Sequence, residues 1–260
     1  MIVFKDYANY YDLLYSKKNY EGECDYIRSL INLYAPGANK ILEFGSGSGI
    51  HGSLLAKNGF EVHGIELSQS MIDLGNSRLD QQTPDDVSNG SFKCVLGNCL
   101  STELGNDFDV VLAIFHVLSY QTTDDKILSM LDNAYRQLKT GGLFIFDFWY
   151  SPAVWNIGPN LRVKREKNES ISITRIADPD CDPENNRIDV YYQNFIENLT
   201  SNEIKKIEEC HEMRAFDLNE LEQFATKSYF ELIQSEEWMS KKPPSNQTWG
   251  VCSILQKNEL

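Results

Sequence analysis

Between Lys40 and Phe148 the chain alternates short apolar runs with segments whose apolar residues recur every three or four positions. The runs at 40–44, 61–66, 92–96, 108–115 and 142–148 are predicted to be strands, and the segments at 50–58, 69–79 and 124–138 helices. That alternation predicts a parallel sheet with helices on both faces. The run from Phe108 to Phe115 is almost wholly apolar, as a central strand covered on both sides requires, and its C-terminal end is expected to face a ligand crevice. Upstream, residues 1–35 read as a tyrosine-rich helical lead-in that Pro36-Gly37 ends, with Tyr7, Tyr11 and Tyr15 at helical i, i+4 spacing.

After Trp149-Tyr150-Ser151-Pro152 the pattern changes. Residues 161–166, 170–177 and 187–198 show period-two alternation, with a fourth candidate at 204–216, so 150–216 reads as an antiparallel β insertion. Residues 178–186, rich in Asp, Pro and Asn, are expected to be the turn joining two of these strands. A helix at 218–228 and strands near 230–239 and 247–256 then return to the main sheet. The fold class is thus α/β, with a Rossmann-like, mostly parallel seven-stranded sheet, helices on both faces and a late antiparallel β insertion.

Composition narrows the classes. At 260 residues with 42% apolar content and no low-complexity run, the chain is long enough for one α/β domain with an insertion. No apolar run approaches the roughly 18 residues of a membrane span. Lys5 and Asp6 interrupt the N-terminus before a signal-peptide core could form. A cytoplasmic protein with no membrane partner is expected. A net charge of −14 argues against a nucleic-acid partner, which would call for a basic face. The six cysteines include no Cys-x-x-Cys pair, so neither a metal site nor a disulfide framework is expected. The oligomeric state stays open, a homodimer included.

Candidate chemistry concentrates at Lys40-Ile41-Leu42-Glu43-Phe44-Gly45-Ser46-Gly47-Ser48-Gly49, a buried strand ending in a carboxylate, then a glycine-rich turn, then a helix. Glycines let the backbone bend sharply and approach a ligand, and the helix aims its first N–H groups at the same spot. Glu66 ends the next strand, so Glu43 and Glu66 are expected side by side at the turn. Two cofactors compete. Gly47-Ser48-Gly49-Ile50-His51-Gly52 matches the dinucleotide fingerprint, with Glu66 at a ribose-holding distance. Glu43, however, would repel a pyrophosphate and suits a cationic ligand such as S-adenosylmethionine.

On these residues the chain resembles the class I S-adenosylmethionine-dependent methyltransferases over most of its length. The resemblance implies that Glu43, Phe44, Gly45, Ser46, Gly47 and Gly49 form the first family motif, around the methionine part of the cofactor. It implies that Glu66 takes the ribose hydroxyls in a Glu-Leu-Ser-x-x-Met pattern with Leu67 and Met71. Gly97, Asn98 and Cys99 fall beside the adenine, with asparagine where the family commonly has aspartate, and Ala113 and Phe115 fall at the mouth of the central strand.

A closer resemblance is to amino-sugar N,N-dimethyltransferases, other nucleotide-sugar methyltransferases and surface-polysaccharide methyltransferases. It rests on Tyr11-Asp12 ahead of Tyr20, the 115–120 segment, Trp149 with Pro152, and Glu209-x-His211. It implies that Tyr11 and Tyr20 lie at the cofactor and that Tyr120 stands where the sugar enzymes carry a histidine near the acceptor. The expected function is methyl transfer to an amino or hydroxyl group of a small acceptor, a sugar or nucleotide-linked sugar. Residues 1–149 and 217–260 would form the core with an N-terminal lid, and 150–216 would cover the acceptor. His116, Tyr120, Asp147 and His211 are the candidates for acceptor contact, and Glu209 shares a strand face with His211 by their spacing of two. The competing readings are a nicotinamide-dependent oxidoreductase and a non-catalytic S-adenosylmethionine-binding partner protein.

Overall fold

The computed structural model describes residues 8–79 and 90–258; Tyr7, the first member of the tyrosine stripe, lies outside them. Helices α1 (Ala8–Leu14) and α2 (Tyr20–Tyr34) lead in, α2 capped by the Asn19 side chain, which accepts from the Gly22 N–H. The chain then runs β1 (Lys40–Phe44), α3 (Ile50–Lys57), β2 (Glu61–Glu66), α4 (Gln69–Leu79), β3 (Ser91–Leu96), β4 (Phe108–Ala113), α5 (Asp124–Gln137) and β5 (Leu138–Trp149). Next come α6 (Ser151–Ile157), β6 (Arg162–Lys167), β7 (Ile171–Asp182), β8 (Arg187–Asn198) and β9 (Ile204–Arg214). The last elements are α7 (Leu218–Lys227), β10 (Phe230–Glu237) and β11 (Gly250–Lys257).

The main sheet has seven strands in the order β10-β11-β5-β4-β1-β2-β3, parallel except where β11 pairs with β5 and β10. The chain steps outward from β1 to β3 on one side and from β4 to β5 on the other. The order therefore reverses between β1 and β4, which opens a crevice at their C-terminal ends. Successive residues of these strands feed two cores. Leu42, Phe44, Val111, Phe144 and Phe146 pack toward α5 and α7, while Ile41, Val110, Leu112 and Ile145 pack toward α2 and α3. Burial on both faces explains the apolar run of β4.

Three expectations need correction. The strand predicted over 108–115 stops at Ala113, because Phe115 and His116 take left-handed φ values of 71° and 65° and turn the chain out of the sheet. The turn predicted over 178–186 is mostly strand: β7 runs to Asp182, Pro179 pairing in register with Val190, and only the 3-10 turn Pro183–Asn185 remains. Beyond Ala177 the neighbour β6 has ended, so β7 is an edge there and tolerates a residue without an N–H. Helix α6, started by Pro152 and ended at Gly158, precedes the insertion strands where no helix was expected.

Strands β6-β7-β8-β9 form a separate antiparallel sheet. Its two ends meet the main sheet together: the Phe216 N–H donates to the Trp149 carbonyl and the Ser151 N–H to the Phe216 carbonyl, each at 2.9 Å. One apolar cluster joins Ile173, Ile196 and Ile207 of this sheet to Leu14 and Met71. Another joins Ile188, Val190 and Met213 to Val154 of α6. Among the described residues no helix is long and apolar enough to cross a membrane.

Candidate active site

The glycine turn leaves β1 at the crevice. Gly45, Gly47 and Gly49 have φ of 63°, 54° and 69°, a region that L side chains avoid. A Cβ on Gly45 would also fall 2.7 Å from a Val117 methyl, and one on Gly49 2.6 Å from the Phe92 ring. The Gly47 N–H donates to Glu66 Oε2 and the Ser68 N–H to Glu66 Oε1, both at 2.9 Å, so the carboxylate at the tip of β2 is fixed by the turn itself. Burial pushes the Glu66 pKa up against the pull of these N–H groups.

Glu43 behaves differently from the expected acidic partner. It lies beneath the turn, on the α2–α3 side, where a Cβ on Gly52 would come within 2.9 Å of its Oε2. Burial, with the Glu66 charge adding to it, raises its pKa to about 8 against the pull of the Gly52 backbone. With that pKa Glu43 keeps its proton at neutral pH, and of the two carboxyls only Glu66 lines the cavity.

The crevice widens into a cavity of about 830 Å³ between the main sheet and the insertion sheet. Of the residues expected at the cofactor, Tyr11, Gly45, Gly47, Glu66, Leu67, Met71, Gly97, Asn98, Cys99 and Phe115 line it. Of those expected at the acceptor, His116, Tyr120 and His211 do. The others do not, each for a local reason. Phe44 is core, 6.2 Å from the Phe144 ring, and Ala113 is enclosed in β4. Ser46 Oγ turns to Cys94 Sγ at 3.0 Å, and Gly49 starts α3. Tyr20 stacks edge-on against His51 with Lys18 Nζ 4.3 Å from its ring. The Asn98 side-chain oxygen accepts from the Leu100 N–H, so it braces its own turn while the residue faces the cavity.

Asp147 is buried directly behind His116. Its Oδ1 accepts from the His116 backbone N–H at 2.9 Å, and its Oδ2 lies 2.8 Å from His116 Nδ1, a contact whose angle falls short of a hydrogen bond. Burial alone would raise the Asp147 pKa, but the imidazole and the N–H hold it below the usual carboxylate range. The left-handed turn at 115–116 brings backbone and ring of His116 to the same carboxylate.

A second chain of polar groups crosses from the main sheet to the insertion. Tyr120 Oη and His211 Nδ1 are 2.7 Å apart, and His211 Nε2 lies 3.1 Å from Glu209 Oε2. An Nε2–H that donates to the carboxylate leaves Nδ1 to accept from the tyrosine. The shared face of Glu209 and His211 was readable from spacing; the Tyr120 link, 91 residues away, was not. Trp149 lines the cavity 5.9 Å from His116, whereas Trp155 bonds Asn186 away from it.

Sequence reasoning missed much of the opposite wall. Arg162, Lys164, Arg175 and Tyr192 line the cavity from the insertion, and Tyr15 from the lead-in. Tyr15 carried a signal in the tyrosine stripe, and its ring lies 4.6 Å from Tyr11. The cations carried none, because only the register of β6 and β7 sets Lys164 opposite Arg175.

A family profile described as a methyltransferase domain matches residues 41–142. YqeM of Bacillus subtilis, a protein named as a methyltransferase, is 24% identical over 258 residues, covering 99% of this chain and 98% of that one. The dTDP-3-amino-3,4,6-trideoxy-alpha-D-glucopyranose N,N-dimethyltransferase of Streptomyces venezuelae is 26% identical over 155 residues, covering 59% of this chain and 61% of that one. A solved S-adenosylmethionine-dependent methyltransferase of Clostridium acetobutylicum superposes with a TM-score of 0.79 at 16% identity, over 96% of both chains. A pyrophosphate at Gly47 would have to displace the Glu66 carboxylate that already holds its N–H, and with these matches the nicotinamide reading falls away: the chain is an S-adenosylmethionine-dependent methyltransferase of the class I fold.

Proposed function

We propose that the enzyme methylates an amino or hydroxyl group of a sugar or nucleotide-linked sugar, with 150–216 covering the acceptor and the rest of the chain holding the cofactor. The observation that carries this reading is that the His116–Asp147 pair and the Tyr120–His211–Glu209 chain open onto the same cavity as Glu66 and the glycine turn. The similarity to an enzyme named for an amino sugar supports the acceptor class. A cavity of about 830 Å³ stands in the upper part of the range of about 300–1,000 Å³ typical of ligand pockets, which suits two ligands better than one.

In this reading Glu66, whose oxygens each keep a lone pair after bonding Gly47 and Ser68, accepts from the ribose hydroxyls. Gly45 and Gly47 offer side-chain-free backbone to the methionine part. Tyr11, Leu67 and Met71 flank the nucleoside, and Gly97, Asn98 and Cys99 edge the adenine. S-adenosylmethionine, when bound, supplies an electrophilic methyl carbon. Displacement at that carbon asks the protein mainly to align the acceptor and exclude water. His116, its backbone N–H bonded to Asp147 and its Nδ1 2.8 Å from the same carboxylate, keeps Nε2 for the proton that an amine or hydroxyl acceptor loses. Tyr120 and His211 orient the acceptor from the other side.

The test is a panel of amino sugars, neutral sugars and their nucleotide-linked forms, incubated with S-adenosylmethionine and followed by mass spectrometry for S-adenosylhomocysteine and methylated product. Turnover of a sugar that His116→Gln lowers at least tenfold in kcat supports the reading. S-adenosylhomocysteine that binds, with no turnover across the panel, overturns the acceptor class and favours a non-catalytic binding protein.

A further inference from the structure

The wall that β6 and β7 give the cavity is basic in a chain whose net charge is −14. Arg162 and Lys164 reach it from β6 and Arg175 from β7, with Lys164 directly across from Arg175 in the register. Aromatic rings space these cations. Arg162 lies 5.9 Å from the Trp249 ring centroid, Lys164 Nζ 5.0 Å from Tyr15, and the Arg175 guanidinium 5.4 Å from Tyr15 and 5.0 Å from Tyr192. Rings hold a cation in place without neutralising it. The nearby carboxylates are engaged elsewhere: Glu166 with Lys17 at 2.7 Å, and Glu212, at the cavity edge, near Arg187 at 3.8 Å. Among the described residues neither Arg162 nor Lys164 forms an ion pair. Burial, with the Arg175 charge adding to it, lowers the Lys164 pKa, as crowded like charges facing one space require.

The basic wall is also connected to the proposed acceptor groups. Arg162 meets Trp249, Trp249 lies 5.9 Å from Trp149, and Trp149 lies 5.9 Å from His116. From the other side Arg175 meets Tyr192, whose ring is 4.6 Å from His211. We infer that Arg162, Lys164 and Arg175 form an anion subsite that seats the phosphoryl groups of a phosphorylated acceptor, so that the enzyme acts on a nucleotide-linked or phosphorylated sugar and not on the free sugar. The inference rests on the methyltransferase reading with a sugar acceptor and decides between the two forms left open there. Arg175 donates to the Tyr15 hydroxyl at 2.9 Å, which fixes its planar fork for paired contacts to phosphate oxygens.

Calorimetry on the protein saturated with S-adenosylhomocysteine tests this, with thymidine diphosphate, inorganic pyrophosphate, glucose 1-phosphate and methyl glucoside as probes. The expected result is binding of at least one of the three phosphorylated probes, none of the glucoside, and weakening at higher salt. Thymidine diphosphate and pyrophosphate binding together assigns the site to a diphosphate; glucose 1-phosphate alone assigns it to a sugar monophosphate. Arg162→Gln/Lys164→Gln should weaken the bound probe about tenfold or more, while S-adenosylhomocysteine affinity, measured in parallel, shows that the variant is folded. Arg175→Lys, which keeps the charge and loses the fork, should weaken a diphosphate more than a monophosphate. No binding of any phosphorylated probe, or binding that the double substitution leaves unchanged, overturns the inference. Failure to bind S-adenosylhomocysteine in the first place would instead overturn the methyltransferase reading beneath it.

Discussion

Glu66 and Glu43 end neighbouring strands, and the sequence gives no reason to treat them differently; burial does. Glu66 faces the cavity with two backbone N–H groups on it, so Glu66→Ala should weaken S-adenosylhomocysteine about a hundredfold by calorimetry, the worth of two hydrogen bonds to a charged acceptor. Unchanged affinity would remove Glu66 from the cofactor. Glu43 is legible in another observable. In the unfolded chain its carboxyl ionises near 4.5, whereas in the folded protein it keeps its proton up to about 8. Between those values unfolding releases a proton that folding retains, so Glu43 subtracts stability progressively as pH rises across the window. Glu43→Gln should therefore match the parent near pH 4.5 and melt about 5 °C or more above it at pH 8. Equal melting temperatures at pH 8 would show that Glu43 is solvated and not buried.

At the scale of elements, the main sheet was readable because each parallel strand is apolar on both faces, and each glycine turn or helix cap marks an end. What the sequence did not show was where extended segments pair. Pro179 looks like a turn residue until the early end of β6 leaves β7 as an edge. Lys164 and Arg175 look like solvated alternation until the register sets them over the cavity. His116 and Asp147 are 31 residues apart and meet only because β4 and β5 are neighbours. The lead-in also changes meaning. Leu14 packs with Ile173, Ile196 and Ile207 of the insertion, Lys17 pairs with Glu166, and Lys18 pairs with Glu23 of α2. Helix α1 thus belongs with the insertion more than with the sheet, and Tyr11 and Tyr15 on it line the cavity. Cofactor contact with these rings should hold the connection between α1 and α2, so S-adenosylhomocysteine should slow tryptic cleavage after Lys17, whose side chain is 77% exposed. Cleavage at an unchanged rate would separate the lead-in from the cofactor site.

For the molecule as a whole, the question is whether the insertion sheet folds as its own unit or as part of the methyltransferase core. The chain enters and leaves it at one point, with Trp149, Ser151 and Phe216 bonded together, which is how an independent module would be attached. Packing argues the other way. The insertion has no closed core: Ile173, Ile196 and Ile207 complete theirs with Leu14 and Met71, and Ile188, Val190 and Met213 complete theirs with Tyr120, Trp149 and Trp249. A sheet that borrows both hydrophobic clusters cannot bury its apolar face alone, so its stability is coupled to the core. The tryptophans make this measurable. Trp149, Trp155 and Trp249 lie in the junction cluster, and Trp238 packs against the α2–α3 core. Denaturation followed by tryptophan fluorescence therefore reports the junction, and far-ultraviolet circular dichroism reports the entire chain. One cooperative unit requires the two curves to superimpose, and saturating S-adenosylhomocysteine, at about a hundred times its Kd, to shift both upward by the same roughly 5–10 °C. An earlier fluorescence transition that the ligand does not move would show an insertion that melts off an intact main sheet, and the proposed acceptor site would then have to assemble on binding.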